Sequence, residues 1–326
     1  MLSQNEWSPL KSVIVGTATN AKIPPIDKSM RCVNFAGEKF ENIPASGYYP
    51  RQVINEANED LEVLCDFLRK ENIEVYRPDD EPETNYYNYC PRDSVITYKN
   101  KIICCPQPLK SRKNDYKNLE SSLQQSNAEI VRLKIERTDE LYNKACLHNK
   151  DILALTESEP AFDAANVLKA NDEILYLVSN SGNEAGADLL QETLGTSANV
   201  HKIKGLYSFM HIDSTITLLR EGLVLLNPAR VKSIYDMPSF MNNWDVIWCP
   251  QPYDIGHYPG YCNASAWLNM NLLSVNENLV VLEQHQHGLR KELEKYKIDC
   301  AMLPGRHQRT LGGGFHCVTL DIERKE

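Results

Sequence analysis

The sequence predicts an α/β fold in which a ring of about five ββαβ modules forms one domain over residues 1–326. Three observations carry this. Pairs of apolar runs recur around short polar turns, the signature of hairpins. A helical stretch and a further strand follow three of these hairpins. The repeats are spaced by roughly 50 to 70 residues, a period typical of radial or stacked arrays. A mixed α/β sandwich is the alternative that periodicity leaves open.

In chain order, Leu10 to Val15 reads as a strand. Residues 54–71 read as an amphipathic helix, because Ile54, Ala57, Leu61, Leu64 and Leu68 fall on one face, and residues 73–75 follow as a strand. The first hairpin joins residues 95–98 to 102–103 around Lys99-Asn100-Lys101. The second joins 167–168 to 174–177 around Ala170-Asn171-Asp172-Glu173, with a helix over 185–192. The third joins 216–219 to 223–226 around Arg220-Glu221-Gly222. The fourth joins 272–273 to 279–282 around Asn276-Glu277-Asn278, followed by a helix over 289–294 and a strand over 298–302.

Apolar and charged fractions of 42% and 24% are those of a globular chain long enough for a sizeable core. The net charge of −9 and the absence of any basic block argue against nucleic acid or an anionic membrane as partner. No apolar run approaches the ~20 residues of a membrane span. Met1 to Trp7 has neither a basic nor an apolar leader region. The ten cysteines are dispersed and include no C-x-x-C, so free thiols in a reducing cytoplasm are expected over an exported disulfide framework.

Chemistry-bearing residues fall in phase with the repeats. Pro91-Arg92-Asp93 precedes the first hairpin, Phe162-Asp163-Ala164 the second and Met210-His211-Ile212-Asp213 the third, while Cys317 opens the last strand run. Equivalent strand starts in a ring converge on its axis, whereas unrelated surface residues have no reason to share this phase. On a strand, His211 and Asp213 would face the same way. Asp93 and Asp213 suit bidentate bonds to a planar cation such as a guanidinium. A nearby cation would favour the Cys317 thiolate as nucleophile, with His211 moving a proton and Asp163 orienting it. Gly312-Gly313-Gly314 allows close approach of backbone to a ligand, or simply makes a turn. It lacks the context of a dinucleotide loop, and pairs such as His285 and His287 assemble no zinc set, so neither cofactor nor metal is expected.

Leu311-Gly312-Gly313-Gly314-Phe315-His316-Cys317, Met210-His211-Ile212-Asp213, Glu159-Pro160-Ala161-Phe162-Asp163-Ala164-Ala165 and Pro91-Arg92-Asp93 resemble the amidinotransferase family typified by arginine:glycine amidinotransferase. Residues 7–16, Leu226-Asn227-Pro228-Ala229-Arg230 and residues 265–271 extend the resemblance from about residue 6 to 323. It implies a five-bladed α/β propeller with pseudo-fivefold symmetry, and a ping-pong reaction through an amidino-cysteine. Cys317 would attack the guanidino carbon of L-arginine, and His211, supported by Asp163, would protonate departing ornithine. Asp93 and Asp213 would hold the guanidinium, Arg230 and Ser265 the donor's carboxylate, with Met210 and Tyr87 lining the pocket. An amine then accepts the amidino group: glycine, lysine or another primary amine. A homodimer is what the family implies.

Ser208-Phe209 stands where the family has Asn-Pro, Ala264 where it has serine, and Asn166 where it has aspartate. The chain is also shorter between Lys113 and Glu157. The competing expectations are a related arginine-deiminase-like hydrolase giving citrulline and, from a different class, a non-catalytic arginine-binding scaffold.

Overall fold

The computed structural model describes residues 2–79 and 86–325. Five three-stranded sheets share one pattern. In each, a middle strand pairs antiparallel with one neighbour and parallel with the other. Four of them run in sequence: Val95–Tyr98, Lys101–Cys104 and Glu129–Arg132; Val167–Ala170, Glu173–Leu177 and Asn199–Ile203; Ile216–Arg220, Leu223–Leu226 and Asp245–Trp248; Leu273–Asn276, Leu279–Glu283 and Asp299–Leu303. The remaining sheet is built from distant parts of the chain. Leu10–Val15 lies between Glu74–Tyr76, in parallel, and the C-terminal strand Thr319–Arg324, antiparallel.

The hairpin turns form where the sequence placed them. Lys99, Asn171 and Gly222 take φ of 52°, 60° and 78°, the left-handed conformation that tight hairpins demand. The long helix is Arg51–Lys70, entered from Pro50. It ends with Asn72 at φ 60° and the Ile73 amide donating to the Leu68 carbonyl, which satisfies a terminal acceptor. Helices Glu184–Leu194 and His287–Lys295 fill the same place in the second and fourth hairpin modules. In the third no α-helix forms: two 3₁₀ turns, Ile234–Asp236 and Ser239–Met241, replace it.

Apolar clusters join the modules cyclically. Ile96 and Ile103 pack with Val167 and Ile174; Leu168 and Leu175 with Ile216 and Val224; Leu219 and Leu225 with Leu272 and Val280. Leu273 and Val281 then pack with Val13 and Val15, and Ile14 and Leu320 with Val95 and Ile102. Strands buried on both faces read as continuous apolar runs, which is why alternation is weak in this sequence.

The first strands also carry buried polar groups that meet. Asp321 receives Arg92 at 2.7 Å, Lys169 at 3.0 Å and Arg324 at 3.2 Å. Thr97 Oγ1 donates to the Asp321 carbonyl at 2.6 Å. Glu6 balances the surplus positive charge, at 3.5 Å from Arg92 and 3.2 Å from His316. Removing one member leaves buried cations unpaired, so Asp321→Ala should cost roughly 3–5 kcal/mol by denaturant titration. Burial opposes the Glu6 charge, but Lys169 and the His316 hydrogen bond hold its carboxyl at about 2. That is below an ordinary glutamate, so this part of the stability is complete near neutrality and disappears as pH falls toward 2.

All ten cysteines are free thiols. No helix among the described residues is long and apolar enough to cross a membrane.

Candidate active site

A short 3₁₀ turn precedes the first strand of each hairpin module: Pro91–Asp93, Ala164–Asn166, Ile212–Ser214 and Ala266–Met270. Asp163, His211 and Ser265 occupy the N-cap positions of the last three. Consecutive turns pack against one another. This arrangement corrects the strand-based reading of His211 and Asp213. Neither lies on a strand, and the tight turn sends their side chains to different partners rather than to one face.

Asp93, Asp163, Asp213 and Cys317 are buried, and His211 nearly so. His211 Nε2 lies 3.0 Å from Asp163 Oδ2, and its Nδ1 is 3.8 Å from Asp93 Oδ1. Burial alone would depress the imidazole, yet the charges of Asp93 and Asp163 outweigh it and carry His211 up to about 9. Gln107 Nε2 holds Asp163 Oδ1 from the other side at 3.2 Å.

Asp213 Oδ2 accepts from the Cys317 thiol at 3.2 Å and pairs with His316 Nδ1 at 3.0 Å. Burial works against its charge, but the His316 contact and the charges of His316 and His211 bring it to about 2. Asn271 completes the surroundings of the sulfur. Its Nδ2 donates to Cys317 Sγ at 3.1 Å, while its Oδ1 accepts the backbone amides of His316 and Cys317 at 2.9 and 3.1 Å. Contact with Cys90, burial and the Asp213 charge all push the Cys317 thiol well above the ordinary cysteine value.

The glycine run packs closely against protein. Gly312 sits at φ 82° as the C-cap of the helix Gln308–Leu311. A Cβ on Gly313 would overlap Cys90 Sγ, and one on Gly314 would stand 2.7 Å from Asn271 Oδ1. These glycines let the chain carrying Cys317 lie directly on Asn271 and Cys90.

Asp93 is asymmetric. Its Oδ2 accepts from Arg112 at 2.7 Å, whereas its buried Oδ1 has no hydrogen-bond partner. Arg112 is anchored by Asp115 at 2.7 Å and lies 5.3 Å from the centroid of the Tyr87 ring, whose hydroxyl reaches the Leu311 carbonyl. Arg230 donates to the Ser214 carbonyl, Ser214 Oγ and Thr215 Oγ1 at 2.7–2.9 Å, and stacks 3.5 Å over Tyr207. It is therefore tied to the same turn as Asp213. Met210 is half-buried beside His211, whereas Ser265 is exposed and makes no side-chain hydrogen bond.

No family model matches the chain. It is 41% identical over 337 aligned residues to inosamine-phosphate amidinotransferase 1 of Streptomyces glaucescens, covering 98% of this chain and 95% of that protein. It is 31% identical to L-arginine:L-lysine amidinotransferase of Pseudomonas savastanoi pv. phaseolicola, covering 99% and 94%. The chain belongs to the amidinotransferase family. The solved structure of inosamine-phosphate amidinotransferase StrB1 from Streptomyces griseus superposes with a TM-score of 0.94 at 40% identity, over 100% of this chain and 97% of that one.

Sequence reading of this amidinotransferase missed Asn271, Gln107, Arg112, His316 and Cys90 as site residues. Asn271 closes the motif 265–271 and His316 precedes the cysteine, so both were visible but unassigned. Gln107 and Arg112 had no signal, because their roles depend on the Asp163 and Asp93 carboxylates, 56 and 19 residues away. Asn166, which replaces a family aspartate, is a structural residue. It donates to the Leu177 carbonyl at 2.7 Å and to Ser179, a bond a carboxylate would not provide.

Proposed function

We propose that this amidinotransferase moves the amidino group of L-arginine to a primary amine by a ping-pong reaction through Cys317. Its five sheets would be the blades of a five-bladed propeller, forming one domain with the site at one end of the axis. The observation that carries this reading is a buried cysteine in a pocket that also holds two buried carboxylates. Asp213 touches Cys317 Sγ, and Asp93 keeps an unpartnered Oδ1. A guanidinium satisfies that acceptor and adds positive charge to a pocket that holds Asp93, Asp163 and Asp213. It also removes the electrostatic reason for the thiol to stay protonated, so arginine itself activates the nucleophile.

The Cys317 proton passes to solvent as arginine binds, and the thiolate then attacks the guanidino carbon. The bond to the ornithine nitrogen breaks as His211, oriented by Asp163, delivers a proton to that nitrogen. Ornithine leaves, and neutral His211 takes a proton from the incoming amine. Attack of that amine on the amidino carbon breaks the C–S bond and restores the cysteine. Asn271 keeps the sulfur in place throughout by its hydrogen bond. Arg230 serves the donor's carboxylate, with Ser265 at the rim and Met210 and Tyr87 as walls.

Greater identity to inosamine-phosphate amidinotransferase than to the lysine enzyme favours an amino-cyclitol phosphate as acceptor. Incubating the protein with arginine and, in turn, inosamine phosphate, lysine, glycine or no amine tests this, with ornithine and citrulline as readouts. Ornithine formed stoichiometrically with amidinated inosamine phosphate is the expected result. Citrulline formed without any amine would replace transfer by hydrolysis.

A further inference from the structure

The 3₁₀ turn Ala266–Met270 leads into Asn271 on Cys317 and also borders a separate cavity of about 300 Å³. Asn269 lines that cavity, yet it is only 3% exposed. Its Nδ2 donates to the Tyr253 carbonyl at 2.6 Å, which fixes the amide's orientation and leaves Oδ1 as a buried acceptor without a partner. A buried, unsatisfied amide oxygen is costly unless something fills the role of donor.

The same cavity is lined by the N-terminus of the nine-residue helix His287–Lys295. No side chain caps this helix. The residue in the capping position, Gln286, is committed elsewhere: its Oε1 accepts the Tyr253 amide, and its Nε2 donates to the Tyr253 carbonyl and to Glu283. The backbone amides of Gly288 and Leu289 are thus left without acceptors. His285 stacks on Tyr253 with ring centroids 5.5 Å apart and gives Nδ1 to Glu283 at 2.7 Å, leaving Nε2 available. Both Glu283 oxygens are engaged by His285 and Gln286, so the nearest carboxylate is occupied by its own neighbours. Open helix amides attract an oxyanion, while Asn269 demands a donor.

We propose that this cavity is a second binding site, taking an oxyanion that carries its own hydrogen-bond donor: hydrogenphosphate, either free or as the head of a phosphorylated polyol. It is independent of the reaction assigned to Cys317. Hydrogenphosphate meets the Gly288 and Leu289 amides with its bare oxygens and gives its O–H to Asn269 Oδ1. In an ester, a neighbouring hydroxyl supplies the donor. Sulfate has the charge but no proton to donate.

Isothermal titration of the whole protein with inorganic phosphate, sulfate and glycerol 1-phosphate tests the assignment. One phosphate per chain should bind, with sulfate about tenfold weaker or worse. The tighter of phosphate and glycerol 1-phosphate identifies the free ion or the ester as the natural source. Asn269→Asp, which turns a repelling carboxylate toward the anion, should weaken phosphate at least tenfold. Gly288→Pro deletes one amide donor in the first helical turn, where proline is tolerated, and should weaken it severalfold; it decides the matter should Asn269→Asp not fold. Equal affinity for sulfate, phosphate binding that survives in a folded variant unchanged, or no binding at millimolar phosphate would overturn the site.

Discussion

Cys317→Ser is expected to lower amidino transfer from arginine by at least about 10⁴-fold while leaving the fold intact. The serine hydroxyl can keep the bonds that the thiol makes with Asp213 and Asn271, so stability should change little. It cannot become an anion beside Asp213 on the strength of one bound guanidinium. Two measurements check this: ornithine release, and intact mass after incubation with arginine in the absence of an acceptor. The wild type should gain the mass of one amidino group and the variant none. Full activity in the serine variant would remove Cys317 from the mechanism.

The next largest effect belongs to His211. His211→Asn should reduce turnover by about 10² to 10⁴-fold, the usual worth of a positioned general acid. In the wild type the imidazole stays protonated up to about 9, so activity limited by protonation of ornithine should fall above that pH. Asp163→Asn keeps the shape but removes one of the charges that hold the proton, and should move this alkaline limb down by about one pH unit or more. A residue with only a packing role would lower the rate without moving the limb. The same shift enters stability. The folded value lies above the unfolded value of about 6.5, so His211 contributes fully below that pH. The contribution is lost as pH rises through about 9, which denaturant titrations on either side of the transition will read.

The four hairpins were legible because their determinants are local. A polar turn with Lys99, Asn171 or Gly222 in the left-handed region separates two apolar runs, and the strands follow within a few residues. The third module's helix was not excluded from sequence, since its two 3₁₀ turns still bury Met237 and Met241 against the core. Phase relative to the hairpins singled out Asp93, Asp163, His211, Asp213 and Cys317 as candidates, and the fold brings Asp93 and Asp163 to His211 and Asp213 to Cys317, even though the strand geometry assumed for His211 and Asp213 was wrong. The phase argument needs only equivalent positions in successive modules, not a particular backbone conformation.

Sequence alone thus determined the module, the family resemblance and the candidates for the reactive set, because each is written in short-range pattern or in residue type. Tertiary structure alone decided how that set is wired. Asn271 reaches Cys317 across 46 positions, Asp213 across 104, and Arg112 takes one oxygen of Asp93 while leaving the other bare. It also set the surroundings of the Cys317 sulfur before any cation binds. Residue types named a cysteine and two carboxylates, whereas the folded site is what puts the Cys317 sulfur 3.2 Å from Asp213. Charge at a buried atom depends on which groups surround it at 3 to 4 Å, and long-range packing of the five modules sets those distances.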